Sequence, residues 1–550
     1  MAQHGTDNRG IEAGASPGFG YGRFGRMFEL DPATRMPVEA LQDIAGAMIR
    51  EDAGAPITEA EDVDENPAIP AGYTYFGQFV DHDITFDPTP LNGSEIDVRA
   101  LEDFRTPALD LDSLYGSGPD DQPYLYKGLA LRLGPDPGNA GARIGARADL
   151  QRLPEDQIAL IGDKRNDENK IVSQIHSGLI AFHNKVVADD SLIAKVGGDP
   201  GRATSRFRAA ATITRWHYQW VVVFDYLARV LMPGVLERVL NRRGFMPNLQ
   251  YYAKPGLRFG YMPVEFAGAA FRFGHSMVRP SYALNVAIGT DPAGRIPTFS
   301  RGRNFENMNG FPGPLPTNWG IDWGYFLEGI KATVPEANGP ADRGPGASVP
   351  TFQVPQRSYR IDALLAQPLG DLPEFRTEED HWVRNLAFRN LDRGQMLGLP
   401  SGERVARAIG ARPVPPDQVW KAGSRLLDRS RLPGDTAGDL DATLAARGAV
   451  AGKWAGAHGP LHASTPLWYY VLREAEYFGV EHRPQDPCIG FGGQHLGPVG
   501  SRILAETFVG LLWYDRSSFL HRMPEFRPFP EIAGTAPHFT LDRLLAYALG

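Results

Sequence analysis

The chain has 550 residues, of which 42% are hydrophobic and 22% charged. This length and balance predict one large core or two fused lobes, and they exclude a protein that lies mostly within a membrane. The formal charge of −9 lacks the basic footprint that nucleic-acid binding requires, so no nucleic-acid partner is expected. A single cysteine, Cys488, excludes an internal disulfide.

The first 25 residues are glycine-rich and polar, which predicts a loose arm. They contain no apolar run that could serve as a signal peptide or a membrane anchor. A cytoplasmic location is therefore the default expectation, and secretion without an N-terminal signal remains open. The stretch from Glu51 to Glu65 is acidic and predicts a solvated loop.

Residues 70–88 begin and end with proline, which predicts a short helix with Thr74 as a possible cap. Gln78 and His82 are four residues apart and share one face of this helix, with Asp81 at its rim. One element can therefore direct an amide and an imidazole at one target. The alternative is an ordinary helix whose polar end is only capped and solvated.

Residues 106–117 alternate short oxygen-bearing side chains with apolar ones, among them Thr106, Asp110 and Asp112. Such spacing directs every second oxygen at one centre, as a hard cation such as Ca²⁺ requires. A turn built from Asx bonds is the alternative. A carboxylate from elsewhere would have to complete the ligand shell, and Asp83 is the candidate.

Asn166 or Asp167 is placed to begin a helix whose apolar residues keep helical spacing as far as Val186. Arg165 and Glu168, three residues apart, could face one pocket at its start. A surface ion pair worth well under 1 kcal/mol is the alternative.

Other helices carry further candidates. His176 and His183 are predicted to be core or supporting histidines, since nothing nearby supplies further metal ligands. Residues 204–231 predict a long buried helix, because charged residues interrupt its apolar run.

His275 is predicted to lie on a helix between Pro263 and Pro280, in an apolar wall that suits an axial haem ligand. A buried histidine bonded to a carbonyl is the alternative. Residues 378–395 predict a helix with Asn390 and Arg393 on one face. No internal repeat and little β pattern are present, so the predicted fold is mainly α.

Five blocks in order, GQFVDHD, TPALDLDSLYGS, GDKRNDE, AFRFGHSMVRP and NLDRGQMLGLP, resemble the haem peroxidases of the peroxidase–cyclooxygenase superfamily. They cover roughly residues 66–400. The resemblance implies a mainly α fold with haem b between a distal and a proximal helix. It also implies an N-terminal arm and acidic loop at 1–65, a catalytic domain at 66–525 and a C-terminal extension at 526–550.

The resemblance implies roles residue by residue. His82 is the distal histidine with Gln78 beside it and Arg165 as the distal arginine, while His275 ligates the iron. The remaining implied haem contacts are Asn390 as the hydrogen-bond partner of His275, Arg393 at a propionate, Arg272 on the proximal side, and Asp81 and Glu168 as ester links to haem methyl groups. The implied calcium ligands are Asp83, Thr106, the carbonyl of Ala108, Asp110 and Asp112.

Two departures refine the expected activity. Asn169 stands where one animal member has a methionine bonded to the haem, which puts the most extreme halide oxidation in doubt. Arg272 stands where the fatty-acid oxygenases of the superfamily have a radical-forming tyrosine. With a neutral Asn390 beside it, His275 is expected to be a weakly anionic ligand.

The resemblance therefore implies a peroxidase that uses hydrogen peroxide to oxidise halides, thiocyanate or phenols through a ferryl intermediate. One alternative is a fatty-acid dioxygenase with another tyrosine, such as Tyr282. A second is a non-catalytic calcium-binding matrix or adhesion protein on the same scaffold. A metal hydrolase around residues 81–83 is disfavoured, because three consecutive helical residues cannot converge on one ion.

Overall fold

The structure is a computed structural model. It describes residues 23–49, 65–86, 96–98, 101, 103–241, 246–289, 294–299, 307–309, 313–333, 354–375, 377–378, 380–420, 445–455, 459, 461–479, 492–535 and 538–550. The predicted loose arm before residue 23, most of the predicted acidic loop and Cys488 lie outside these residues.

Helices dominate the described chain, as predicted. The α-helices are α1 Val38–Met48, α2 Gly72–Ile84, α3 Asp112–Tyr115, α4 Lys170–Val187, α5 Asp190–Lys195, α6 Ala203–Val221, α7 Leu227–Val230, α8 Val235–Leu240, α9 Val264–Ala267, α10 Leu386–Met396, α11 Gly402–Ala408, α12 Pro416–Val419, α13 Leu467–Phe478, α14 Pro498–Tyr514, α15 Phe519–Arg522, α16 Pro530–Ala533 and α17 Leu541–Leu549. A π-helical turn, Val222–Tyr226, joins α6 to α7. No helix of the described chain is both long and apolar enough to cross a bilayer.

Strands are short and pair only in twos within the described residues. β1 Phe24–Gly25 runs parallel to β5 Met262–Pro263, and β2 Glu65–Pro70 runs antiparallel to β8 Arg357–Tyr359. The other antiparallel pairs are β3 Tyr126–Lys127 with β4 Ala130–Leu131, and β6 Ser281–Tyr282 with β7 Ile296–Pro297.

One apolar core joins these elements, and α4 lies at its centre, packed against α2, α6 and α17. The predicted helix over 204–231 is present as α6, the π turn and α7. Asp225 in the π turn is buried and accepts hydrogen bonds from Tyr73 Oη at 2.6 Å and from the backbone N–H of Leu541 at 2.8 Å. The irregular turn thereby links α2 to the C-terminal helix.

The predicted cap of α2 is wrong. Thr74 lies inside the helix, and its hydroxyl points to the carbonyl of Met277 at 3.4 Å. The helix begins at Gly72, whose N–H donates to the carbonyl of Phe326 at 3.0 Å. A Cβ on Gly72 would come within 2.8 Å of that oxygen, so a tertiary contact sets the start of α2.

Three further helix boundaries differ from the prediction. α4 is capped by Asn169, whose side chain accepts from the N–H of Ile171 at 2.8 Å, while residues 164–167 form a separate 3₁₀ turn. His275 lies on a 3₁₀ helix, Ala270–Met277, after α9 has ended. The predicted helix over 378–395 divides into a 3₁₀ turn, His381–Arg384, and α10, which Asn385 caps.

Both ends of the described chain belong to the core. α1 packs against α10, and α17 packs against α4, with apolar residues of each in the same cluster as the centre of the molecule. The terminal helices therefore share one core with the elements between them.

Candidate active site

Helix α2 and the 3₁₀ helix 270–277 are held at a fixed spacing by Tyr226 of the π turn. A Cβ on Gly77 of α2 would come within 2.4 Å of the Tyr226 hydroxyl, so only glycine allows this approach. The same ring contacts Phe271 edge-on, with 6.4 Å between ring centroids. One side chain thus spaces the two elements that carry the predicted distal and proximal histidines.

One oxygen of Glu168 is the point on which two predicted site residues of α2 converge. Gln78 Nε2 donates to Glu168 Oε1 at 2.7 Å, and His82 Nε2 lies 3.4 Å from the same oxygen. Helical spacing placed Gln78 and His82 on one face, and the structure brings the start of α4 to that face. Asp81 is half-buried and receives the Thr85 hydroxyl at 3.4 Å.

Several of these side chains are partly accessible to solvent. Glu168 remains 38% accessible, yet burial disfavours its charge, and hydrogen bonding to His82 more than compensates, so its pKa lies below the usual value. Partly accessible positions on otherwise buried elements are Gln78, Asp81, Glu168, Arg272 and His275.

Arg165 lies behind the last turn of α2. Its Nη2 donates to the carbonyls of His82 at 3.0 Å and Thr85 at 2.7 Å, and to Asp163 at 2.7 Å. Burial opposes ionisation of Asp163, but its hydrogen bonds with Arg165 lower its pKa below the usual value. Arg165 thus anchors the backbone that carries His82, a contact that the sequence pattern did not indicate.

Asn166 joins two histidines. Its Oδ1 lies 2.8 Å from His82 Nδ1 and its Nδ2 lies 3.0 Å from His176 Nδ1. All three side chains are buried. The sequence pattern indicated Asn166 only as a helix start, because nothing in it shows that residues 82 and 176 face this amide.

The predicted proximal pair is assembled, with an unexpected hydrogen-bond direction. Asn390 Nδ2 lies 2.9 Å from His275 Nδ1, and Arg272 Nη1 donates to Asn390 Oδ1 at 2.7 Å. Because arginine can only donate, the amide oxygen faces Arg272 and the NH₂ group faces His275. Residues three apart on a 3₁₀ helix eclipse each other, which is why Arg272 and His275 both reach Asn390.

This direction corrects the expectation of a weakly anionic ligand. An amide that donates to Nδ1 of His275 favours negative charge on the ring, whereas an amide that accepts the Nδ1 proton does not. Burial, and then the charge of Arg272, lower the pKa of His275 to about 3, so the imidazole is neutral. Because its Nδ1 accepts from Asn390, its proton lies on Nε2.

Trp468 of α13 is a second unpredicted neighbour of the proximal side. Its Nε1 donates to the carbonyl of Arg272 at 3.2 Å, and its ring centroid lies 6.4 Å from that of His275. A cleft lined by Trp468, Asn390 and Gly394 opens beside it. Arg393 lies on α10 three residues after Asn390 and is half-buried.

The predicted cation ligands Asp83, Asp110 and Asp112 meet. Their ligand oxygens lie within 4.8 Å of one another. Both carboxylate oxygens of Asp83 are buried without a hydrogen-bond partner among the described residues. Burial and repulsion from its neighbours raise the pKa of Asp83, and raise that of Asp110 to about 7. Such a cluster fits a hard cation, whose charge removes the repulsion.

Thr106 and Ala108 are buried in the loop that leads to this triad. Leu111, between the two aspartates, has a φ of 57°, an uncommon conformation for leucine. Arg105 connects the triad to Arg165, because its Nη1 lies 3.2 Å from Asp112 and its Nε lies 2.9 Å from Asp163.

The family model for animal haem peroxidase matches residues 97–308. This range contains the cation loop, Arg165, Glu168 and His275. This part of the chain is similar to the animal haem peroxidase family. The domain family implies haem binding.

A curated protein similar to part of this chain is the human protein "Probable oxidoreductase PXDNL", which is 25% identical over 144 residues. The match covers 26% of this chain and 9% of the relative, so the chain spans a small part of that protein's length.

Two solved structures share the fold of this chain. Peroxidase A from Dictyostelium discoideum superposes with a TM-score of 0.50 at 15% identity, covering 93% of this chain and 92% of its own. A fatty acid alpha-dioxygenase from Arabidopsis thaliana gives a TM-score of 0.50 at 12% identity, covering 98% and 77%. The mainly α animal haem peroxidase fold is thereby confirmed.

Proposed function

We propose that this chain is a haem-dependent peroxidase that uses hydrogen peroxide to oxidise a small donor such as a halide, thiocyanate or a phenol. The supporting observation is the convergence of Gln78 and His82 of α2 on Glu168, with His275 of the neighbouring 3₁₀ helix joined to Asn390 of α10. The neutral imidazole of His275 and the partly accessible polar side chains of α2 fit a haem.

Haem bound at this site would supply the iron that takes two oxidising equivalents from peroxide and returns them to the donor. His275 would hold the iron through Nε2 after releasing the proton that this nitrogen carries while Nδ1 accepts from Asn390, and Asn390 and Arg272 would fix the ring. His82 Nε2 is placed to take a proton from peroxide and to pass it to the departing oxygen. Arg165 keeps His82 in position and adds positive charge.

The carboxylates give further support. Glu168 and Asp81 would form ester bonds to the haem, and the aspartate triad would bind Ca²⁺ next to His82. Because Asp83 follows His82 directly, a bound cation would restrain the distal histidine. Arg393 would neutralise a haem propionate.

Fatty-acid dioxygenation is the second candidate, since a structure of that class shares the fold. Tyr282, the tyrosine considered for it, is buried with its hydroxyl accepting the N–H of Arg279 at 2.8 Å and its ring packed on Tyr75. Oxygen uptake with a fatty acid in the absence of peroxide would establish dioxygenation instead.

The proposal is tested by purifying the full chain with haem supplied and comparing three variants. His275→Ala should lose the haem absorbance. His82→Ala should keep it and slow the reaction with peroxide by at least about 10²-fold, the usual contribution of an acid–base group. His183→Ala, at a buried histidine bonded to Tyr115 and Leu129, is the control and should do neither.

Two results would contradict the proposal. A native chain that binds no haem would indicate a non-catalytic scaffold. Equal effects of His82→Ala and His275→Ala on haem content would refute the assignment of the two faces.

A further inference from the structure

The side chain of Asn166 lies between His176 and His82, the proposed base, and contacts both. The proposed reaction does not use His176. It is buried on α4, and its Nε2 has no hydrogen-bond partner among the described residues. Its Nδ1 lies 3.0 Å from Asn166 Nδ2. A buried imidazole with one ring nitrogen on an amide and the other without a partner calls for a reason beyond packing.

The amide of Asn166 can take two orientations, and each fixes the protons of both histidines. With Oδ1 towards His82, as in the structure, His82 carries its proton on Nδ1 and His176 accepts at Nδ1. With the amide turned, His82 would accept at Nδ1 and would carry its proton on Nε2. The tautomers of His82 and His176 are therefore coupled.

Only the observed orientation leaves His82 Nε2 able to act as a base on the side that faces Glu168. In neutral His82, Nε2, 3.4 Å from Glu168, then has a lone pair; when it gains a proton it can donate to Glu168 while Nδ1 stays protonated. In the turned orientation Nε2 already carries a proton and cannot accept another. A base at this site thus requires the amide oxygen to face His82.

We propose that His176 is a positioning residue that, through Asn166, holds His82 in the tautomer with the proton on Nδ1. This inference rests on the proposed role of His82 as the base. His176 acts by accepting the amide proton of Asn166, so that turning the amide would cost this buried hydrogen bond.

One property of His176 suits this role. Burial lowers its pKa to about 3, so the ring stays neutral and its Nδ1 lone pair remains available to Asn166. A protonated His176 would present an N–H at Nδ1 and would force the amide to turn.

The test reads the tautomer directly. The full chain is labelled with ¹⁵N-histidine, supplied with haem, and held in the diamagnetic ferrous carbon monoxide form. The ¹⁵N chemical shifts of the imidazole nitrogens distinguish a protonated from an unprotonated ring nitrogen, and His82→Gln assigns the His82 signals. We expect one His82 population, protonated at Nδ1.

His176→Phe keeps a planar ring but removes the acceptor, so a second His82 population with the proton on Nε2 should appear. The rate constant with peroxide should fall by the same factor as the Nδ1-protonated population. His183→Phe, which removes a buried histidine of the same helix that does not contact Asn166, is the matched control and should leave the His82 tautomer unchanged.

Rescue separates positioning from packing. In Asn166→Asp/His176→Phe the carboxylate can only accept, so His82 should return to a single Nδ1-protonated population. Loss of packing alone would not be repaired by a buried aspartate. If His176→Phe fails to fold, Asn166→Leu removes the same coupling and should likewise give two His82 populations.

Native His82 protonated at Nε2, or unchanged His82 signals in both His176→Phe and Asn166→Leu, would overturn the inference. If the populations shift as expected while the peroxide rate stays the same, the tautomer coupling stands and the proposed role of His82 as base fails. The two proposals can therefore fail separately.

Discussion

At the scale of single residues, the site depends on groups whose charges are balanced by a neighbour. Asp163 accepts from Arg165 and contacts Arg105, and Arg165 in turn holds the carbonyl of His82. The side chains of Asp163, Arg105 and Arg165 are largely buried. Removing one partner of a buried pair leaves the other charge without compensation, which usually costs about 3–5 kcal/mol.

Asp163→Asn should therefore lower the melting temperature at pH 7. The folded-state pKa of Asp163 lies below its unfolded value, so its contribution is complete above about pH 4 and is lost as the pH falls through the folded pKa. The melting temperatures of Asp163→Asn and the native chain, measured from pH 7 to pH 3, should converge on acidification. A gap that stays constant with pH would show that the charge of Asp163 does not matter. Asp136→Asn, at an exposed loop, is the control.

Glu168 and Asp81 allow a test of covalent haem attachment. If both form esters, haem should stay on the denatured chain during extraction with acidic solvent, and Asp81→Asn/Glu168→Gln should release it. Asp392→Asn, at a half-buried position of α10 two residues beyond Asn390, should retain the pigment. Native chain that releases all its haem would show that no ester forms.

At the scale of elements, the loop 106–112 and the end of α2 meet at the aspartate triad. Without a cation, the pKa of Asp83 and Asp110 is raised in the folded state, so the folded chain binds more protons than the unfolded chain. Stability then falls as the pH rises from about 4, the unfolded value, towards about 7. A bound cation reverses this, because it favours the ionised carboxylates.

Chelation should therefore lower the melting temperature more at pH 7.5 than at pH 5.5, and added Ca²⁺ should restore it. Mg²⁺ should restore less, since it prefers a smaller octahedral shell with bound water. Asp110→Asn should reduce the response to Ca²⁺. A melting temperature independent of both chelator and Ca²⁺ at either pH would contradict a cation site here.

At the scale of the whole molecule, the first and last described helices pack into the same core as the site. α17 lies on α4, the helix that carries His176, and a Cβ on Gly178 of α4 would come within 2.6 Å of Leu545 Cδ2. Asp225 also binds the N–H of Leu541. The C-terminal helix is therefore expected to unfold together with the site.

Leu545→Ala should destabilise the chain by about 2–5 kcal/mol, the usual cost of removing a buried leucine side chain. Calorimetry should show one transition at a lower temperature for the haem-loaded chain. Arg543→Ala, on the exposed face of the same helix, should change little. A separate early transition in Leu545→Ala would show that α17 is an independent extension.

Local chemistry makes much of the fold and the site predictable from the sequence. Helical spacing places Gln78 and His82 on one face, and alternating oxygens mark Asp110 and Asp112 as ligands of one centre. The start of α2 near Thr74 and the helix boundaries around His275 could not be predicted in this way. The contact of Gly72 with the carbonyl of Phe326 sets the first, and the packing of residues 266–277 sets the second.

The sequence by itself determined the mainly α architecture and the residues of the five motif blocks, because periodicity and motif spacing are properties of neighbouring residues. Only the tertiary structure decided the direction of the Asn390 amide, the attachment of Arg165 to Asp163 and the link from His82 to His176. A hydrogen bond between distant segments depends on which donors and acceptors folding brings together, and no local pattern records that choice.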